Sequence, residues 1–431
     1  MKFTLEKRIL AVFLLAFMII GCIGSKAPLQ IVPQLASVTA QIIPSSKEKN
    51  IDKEKKAEET ENTKNSITSE IRSSEEKEEA VAQANEEDVA GNFSDSLFFK
   101  DQMVQQNGAL SKQLGMAEVF NQDNAYVLDN GYVVGVYDYA DTEYETAQVT
   151  AFRDFLAGQG ISLLYVNEPV KYTDDAALSE QLGILTYSND NADRLLANLE
   201  KAQVPVLDIR DVFAGTDSFS WFYRTDHHWT TSAGKEAARA ISQKMNDEFG
   251  YGIDLSLYDD ENLIYTVYED SWLGEQGRKL GESYVGMEDY VLILPAYETL
   301  FTLQTSDDEQ TGPFEEVLIN QEIMLEQNNQ DIYSAPSWHY IYRGNEGKIT
   351  NDLNENGKNV LVLGDSYDTV TNAFLALGAR SVEGIVLRDY QGDIRQYILD
   401  HDFDTVVIAY TQFMIGAHND EDSSNYRMYD F

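Results

Sequence analysis

The 431-residue sequence has a single cysteine, Cys22. One cysteine excludes an intramolecular disulfide framework and any cysteine-cluster metal site. Basic side chains are also scarce: 32 Lys and Arg stand against 73 Asp and Glu, for a formal net charge of −41. Binding a phosphate backbone depends on Lys and Arg displacing counterions, so this balance excludes a nucleic-acid binder. The apolar run Ile9 to Ile20 falls short of the about 20 residues that a comfortable membrane span needs. What is present argues for a real core. The 43% hydrophobic and 11% aromatic shares exceed those of a wholly disordered acidic chain.

Lys2, Lys7 and Arg8 followed by Ile9 to Ile20 form the basic and apolar regions of an export signal. Ile19-Ile20-Gly21-Cys22 then resembles a bacterial lipobox, with Cys22 as the lipid-attachment site of a lipoprotein anchored on the outer face of the cell membrane, in the bacterial cell envelope. An ordinary signal peptide or an uncleaved anchor with a chance cysteine is the alternative; each reading puts the rest of the chain outside the cytoplasm. From Ser45 to Asp88 the sequence carries 8 basic and 14 acidic side chains and no aromatic residue. Such a segment cannot offset its chain entropy by apolar burial. The expected organisation is therefore a signal over 1–22, a solvated tether over 23–90 and a folded domain over 91–431. The domain keeps 20 basic and 58 acidic residues from Val89 onward, so the acidity belongs to it.

Within the domain, short apolar runs alternate with amphipathic stretches, which predicts an α/β fold with a parallel sheet flanked by helices. Strands are expected at Tyr132–Tyr137, Ser162–Asn167, Val204–Leu207, Asn359–Leu363, Gly384–Leu387 and Thr405–Tyr410. Helices are expected over Ala147–Leu156 and Asn191–Lys201. The stretch at about 267–349 breaks this rhythm. With a strand-like Tyr290–Leu294 and a helical Glu315–Gln327, it is read as an insertion lying over the sheet.

Two motifs carry chemistry. In Asn359-Val360-Leu361-Val362-Leu363-Gly364-Asp365-Ser366-Tyr367 a strand runs into a turn ahead of a helical stretch, Thr369–Leu377. A serine there projects beyond the sheet edge, next to helix N–H groups that can stabilise an oxyanion; the same pattern also suits a serine that only caps the helix. The second motif, Phe222 to Thr231, holds Asp226-His227-His228-Trp229 in a loop entering a helix over Ser232–Phe249, with Thr230 or Thr231 as N-cap. Asp226 and His228 share one side of an extended loop, so the carboxylate can orient the imidazole that a serine nucleophile requires. Buried polar residues, or a metal held by Asp226, His227 and His228 with a third histidine among His339, His401 and His418, are the other readings of this loop. No recognisable metal spacing accompanies it, and neither a metal nor a cofactor is expected.

Together the motifs resemble the DHHW family and related SGNH-like proteins that O-acetylate alginate and other exported polysaccharides. Tyr126-Val127-Leu128-Asp129-Asn130-Gly131-Tyr132, Val166-Asn167-Glu168-Pro169-Val170-Lys171 and Gly384-Ile385-Val386-Leu387-Arg388-Asp389-Tyr390 extend the resemblance from about Tyr126 to Met414. In that family Asp-x-His precedes Gly-Asp-Ser, reversing the order of ordinary SGNH hydrolases, and this chain follows the circularly permuted order. The resemblance implies Ser366 as nucleophile, His228 as general base and Asp226 as its orienting carboxylate. It implies that Trp229 packs under the loop and that His227 points away from Ser366 or lines the cleft. Arg388 either holds a substrate oxygen or closes a salt bridge, and Tyr367 offers a backbone N–H. The oxyanion-hole asparagine of ordinary SGNH enzymes has no clear counterpart, Asn345 and Asn372 being the nearest candidates.

The implied function is an extracytoplasmic serine O-acetyltransferase or acetylesterase acting on a cell-surface glycan, with a membrane acyl-donor protein as possible partner. A non-catalytic glycan-binding or assembly lipoprotein is the alternative. The acidity of the domain favours a neutral or amino-sugar acceptor over an acidic one.

Overall fold

The computed structural model describes residues 100–116, 125–327, 332–333 and 337–431. The export signal, the Cys22 lipobox and the tether lie outside the described residues. Among the described residues, no helix is long and apolar enough to cross a membrane.

Twelve strands are described: β1 (Ala125–Val127), β2 (Val133–Gly135), β3 (Ser162–Glu168), β4 (Val206–Asp208), β5 (Leu263–Trp272), β6 (Glu288–Pro295), β7 (Phe301–Gln304), β8 (Glu309–Gly312), β9 (Lys348–Asn351), β10 (Asn359–Leu363), β11 (Ser381–Ile385) and β12 (Thr405–Thr411). Eight of them make one sheet in the order β4-β3-β12-β10-β11-β9-β7-β8. The five from β4 to β11 are mutually parallel, and β9, β7 and β8 add an antiparallel edge.

Successive residues of the central strands face opposite sides, and both sides are apolar. Leu163 and Tyr165 of β3, Leu361 and Leu363 of β10, and Ile408 of β12 pack against helices α1 (Glu143–Gln159) and α2 (Ser188–Lys201), through Val149, Phe152, Leu156 and Leu195. Their alternates Leu164, Val166, Val360, Val362 and Val407 pack against α3 (Thr231–Phe249) and α4 (Asp368–Gly378), through Ala237, Ile241, Val370 and Phe374. Each such fully buried aliphatic or aromatic side chain contributes about 1.5–3 kcal/mol relative to exposure. The result is a sheet with helices on both faces, so the carboxyl ends of the parallel strands form one rim.

Three expectations change. The strand read at Tyr132–Tyr137 shortens to β2 and leaves the main sheet, because Asn130-Gly131 turns the chain back onto β1. Gly131 takes a positive φ of 83°, and an Asn-Gly turn of this kind ties adjacent strands into a hairpin. The stretch at 267–349 does not simply lie over the sheet: β7, β8 and β9 extend its edge, while β5 and β6 pair as a separate antiparallel ribbon. The helix expected over Glu315–Gln327 is two short ones, Phe314–Val317 and Gln321–Gln327. Ile319 between them bridges to Tyr342, and the Asn320 side chain accepts from the Glu322 and Ile323 N–H groups, restarting the helix.

Candidate active site

Strand β10 ends at Leu363, and Gly364-Asp365-Ser366-Tyr367 turns into α4 on the carboxyl rim. The turn is braced by two buried carboxylates, Asp365 and Asp368. Asp365 Oδ2 accepts from the Thr411 N–H at 3.0 Å and its hydroxyl at 2.8 Å, and Oδ1 accepts from the Tyr367 N–H at 2.9 Å. Asp368 Oδ2 accepts from the Asp365 N–H at 3.0 Å. A Cβ at Gly364 would collide with that Asp368 carboxylate, so glycine is required where the chain leaves the strand.

The histidine loop closes on itself between an antiparallel Phe222–Trp229 bridge and α3, whose N-cap is Thr230. Its tip is held from the 267–349 stretch. Glu288 of β6 accepts from the Arg224 and Thr225 N–H groups, each at 2.7 Å, and from the Thr225 hydroxyl. Gly274 approaches so closely that a Cβ there would collide with the Asp226 Cβ. The Glu275 N–H then donates to Asp226 Oδ2 at 2.8 Å. Trp229, fully buried as expected, donates its indole N–H to the Tyr367 carbonyl at 3.1 Å and so links loop to turn.

These two loops bring three side chains into line. His228 Nε2 lies 2.8 Å from Ser366 Oγ, and His228 Nδ1 lies 2.6 Å from Asp226 Oδ1. Asp226 and His228 are buried, while Ser366 keeps partial access to solvent. Burial opposes the Asp226 charge, yet His228, His227 and the Glu275 N–H together hold its carboxyl well below the usual range. Burial, aided by His227 and His339, pushes the His228 imidazole well below its ordinary value against the pull of Asp226. A neutral imidazole fixed by a carboxylate and facing a hydroxyl is able to take that hydroxyl's proton.

The other residues singled out from sequence fall less uniformly. The side chain of His227 is 33% exposed; its ring lies 3.9 Å from that of His228 and lines a small cavity with Lys171, Tyr137 and Gln276. Asp226, His227 and His228 cluster closely enough to share an ion, but both ring nitrogens of His228 are already engaged by Asp226 and Ser366. Arg388 donates to Asn425 Oδ1 at 2.6 Å and sits 3.6 Å from Asp389. The Tyr367 N–H is turned to Asp365, and its hydroxyl donates to the His227 carbonyl at 2.5 Å, so neither is directed at a bound substrate. Asn345 donates to the Asp365 carbonyl at 2.8 Å, and the fully buried Asn372 donates to Asn345 Oδ1 at 2.7 Å. These asparagines brace the turn from behind.

Two features escaped the sequence reading. His339, considered there only as a spare ligand, stacks on His228 with ring centroids 3.5 Å apart. Glu168, at the end of β3, meets Asp365 and Asp368 in a fully buried carboxyl cluster beneath Ser366. Glu168 next to Pro169 at a strand end gave a signal for the second; nothing local marked His339, 111 residues from the loop it joins.

The α/β fold on which these groups are mounted, a mostly parallel sheet flanked by helices, resembles that of SGNH hydrolase-like domains. Residues 132–256 match the family model of the SGNH hydrolase-like domain, acetyltransferase AlgX, a span that includes the histidine loop and ends before Ser366. Among solved structures, Bacillus cereus PatB1 with a sulfonyl adduct superposes with a TM-score of 0.54 at 17% identity, covering 73% of this chain and 99% of that one. A DHHW family protein from Eubacterium siraeum superposes with a TM-score of 0.52 at 13% identity, covering 72% and 96%. At these identities the likeness to the two structures is one of fold. Comparison with curated proteins gives no match.

Proposed function

We propose that the protein is an extracytoplasmic, lipid-anchored SGNH-like enzyme that moves an acetyl group through Ser366, onto a cell-surface glycan or from it to water. The observation that carries this reading is the Asp226–His228–Ser366 line, at 2.6 Å and 2.8 Å. His228 takes the Ser366 proton as Oγ attacks the acetyl carbonyl. The imidazolium is stabilised by Asp226 and returns the proton to the leaving oxygen as the tetrahedral intermediate collapses to an acetyl-enzyme. A sugar hydroxyl or water, deprotonated in turn by His228, then releases Ser366. Water exclusion and acceptor positioning in the cleft decide between transfer and hydrolysis. The match of residues 132–256 to an acetyltransferase family model supports an acetyl ester as substrate. The order of the motifs, Asp226-x-His228 before Gly364-Asp365-Ser366, supports a circularly permuted member of the class.

The acidity of the domain supports a neutral or amino-sugar glycan, a preference that salt-dependent binding to defined glycans tests. Arg388 is the candidate contact for an acyl or sugar oxygen, with a membrane protein as acyl donor. Cys22 is the proposed lipid anchor: Cys22→Ala should release the protein or leave its signal uncleaved, and unchanged membrane attachment would argue for an uncleaved helix.

The test is trapping. Brief exposure of the protein to a chromogenic acetate ester should leave an acetyl group on the Ser366 peptide by mass spectrometry, absent in Ser366→Ala and His228→Ala. Turnover equal to wild type in both variants would sink the assignment. A non-catalytic glycan-binding role has one observation in its favour, the engagement of Tyr367, Asn345 and Asn372 donors away from the substrate side. It predicts glycan binding with no adduct.

A further inference from the structure

His339 holds two members of the site at once. Its Nε2 lies 2.5 Å from the Ser366 carbonyl oxygen, and its ring lies flat on His228, the planes inclined by 14°. A carbonyl only accepts, so Nε2 carries the proton and Nδ1 is bare; that Nδ1 is buried without a partner. Its segment is fixed on either side. Trp338 is buried against Tyr290, with centroids 4.6 Å apart, and the Tyr342 hydroxyl exchanges hydrogen bonds with the Ile293 N–H and carbonyl at 2.9 and 2.7 Å.

Resting on the serine-catalysis reading above, we propose that His339 is a positioning residue: a neutral imidazole that sets the plane of the His228 ring and keeps it in register with the Ser366 backbone. The need for such a group follows from geometry. The Cβ–Cγ bond and the Nδ1–H bond to Asp226 fix one edge of the His228 ring but leave it able to rock about that edge, which swings Nε2 away from Ser366 Oγ. A flat neighbour opposes that rotation, and bonding the neighbour to Ser366 makes base and nucleophile move together. Neutrality matters, since His228 becomes cationic when it takes the serine proton and a second imidazolium in contact would oppose the transfer. Burial above all, with His227 adding to it against Asp226 and the Ser366 carbonyl, lowers the His339 value to about 4. The groups facing it are Asp226, His227, His228 and Tyr340.

The experiment compares the full-length protein with His339→Phe, which keeps the ring without the N–H, and His339→Gln, which keeps a donor without the ring. With the chromogenic acetate ester, both should lose about 10–100-fold in kcat with KM little changed, the size expected for a misplaced catalytic group. In a His228→Ala background neither should cost anything further, because there is no base left to orient. The downfield proton resonance of the His228 Nδ1–H should shift or broaden in both, a readout independent of turnover. Wild-type kcat and an unmoved resonance in folded His339→Phe and His339→Gln, with Ser366→Ala inactive, would overturn this role alone. An equal loss in the His228→Ala background would mark His339 as merely structural. Full activity of Ser366→Ala and His228→Ala would instead remove the catalytic reading, and this role with it.

Discussion

The indole N–H of Trp229 donates to the carbonyl of Tyr367 at 3.1 Å across 138 positions of sequence. One bond thus joins the residue following the proposed base, His228, to the residue following the proposed nucleophile, Ser366. Trp229→Phe keeps most of the buried ring but leaves a buried carbonyl without that donor, a loss of about 1–3 kcal/mol. Chemical denaturation should show it. Activity should fall more than the stability loss alone explains, since the serine turn and histidine loop are no longer tied; a variant less stable but equally fast per folded molecule would remove Trp229 from the alignment of the site.

Asp226 accepts three N–H donors, two from His228 and one from Glu275. In Asp226→Asn the amide nitrogen must face either His228 or Glu275. Facing His228, it forces the proton onto Nε2, where the ring no longer accepts from Ser366; facing Glu275, it opposes an N–H with an N–H. The expected cost is about 10³–10⁴-fold in kcat/KM on the acetate ester. A loss below tenfold in a folded variant would mean that the carboxylate does not set the tautomer.

The pH profile follows from His228. Its folded-state value is depressed, so the imidazole stays neutral below the ordinary 6.5, and with His228 as the proposed base the acid limb of kcat/KM should lie below that pH. Linkage gives the same group a stability effect of defined sign. Between the depressed folded value and 6.5 the unfolded chain binds the extra proton, so this contribution is present above 6.5 and is lost as pH falls towards the folded value. Melting curves over this range should show wild type losing stability on acidification faster than His228→Gln. An acid limb centred at or above 6.5 would contradict the burial of the base.

How much of this was legible in the sequence depends on how local each signal is. The strand Asn359–Leu363 was read at its observed ends because an apolar run closed by Gly364 leaves little freedom. The strand read at Gly384–Leu387 starts at Ser381, since its boundary is set by pairing with Asn359 and Thr350 on either side rather than by its own apolar residues. Ser366, His228 and Asp226 stand out as candidates because each sits in a short motif. His339 and the Glu288 brace were not, because their contacts reach the site from the 267–349 stretch, whose β-strands alternate with loops and obey no single period. Tyr367 illustrates the opposite error. Position alone suggested a free N–H, whereas the neighbouring Asp365 carboxylate had already claimed it.

The carboxyl cluster beneath Ser366 yields the last prediction. Glu168 and Asp368 are fully buried; both Glu168 oxygens and Asp368 Oδ1 have no partner, and Asp365 adds its charge nearby. Burial first, then Asp368 and Asp365, pushes the Glu168 acid well above its ordinary 4.5; burial and then Asp365 raise Asp368 well above its own ordinary value. Protonated, one can donate to the other and both are spared an uncompensated charge. For an acid whose folded-state value is raised, the folded protein binds more protons than the unfolded chain above 4.5. The stabilising contribution is therefore complete below that pH and is lost as pH rises through the raised folded value. Glu168→Gln replaces the transferable proton with a fixed N–H donor of the same shape, so it should match wild type in acid and melt several degrees higher at alkaline pH, with a flatter dependence between. Parallel melting-temperature profiles for the two proteins would mean that the cluster holds no shared proton.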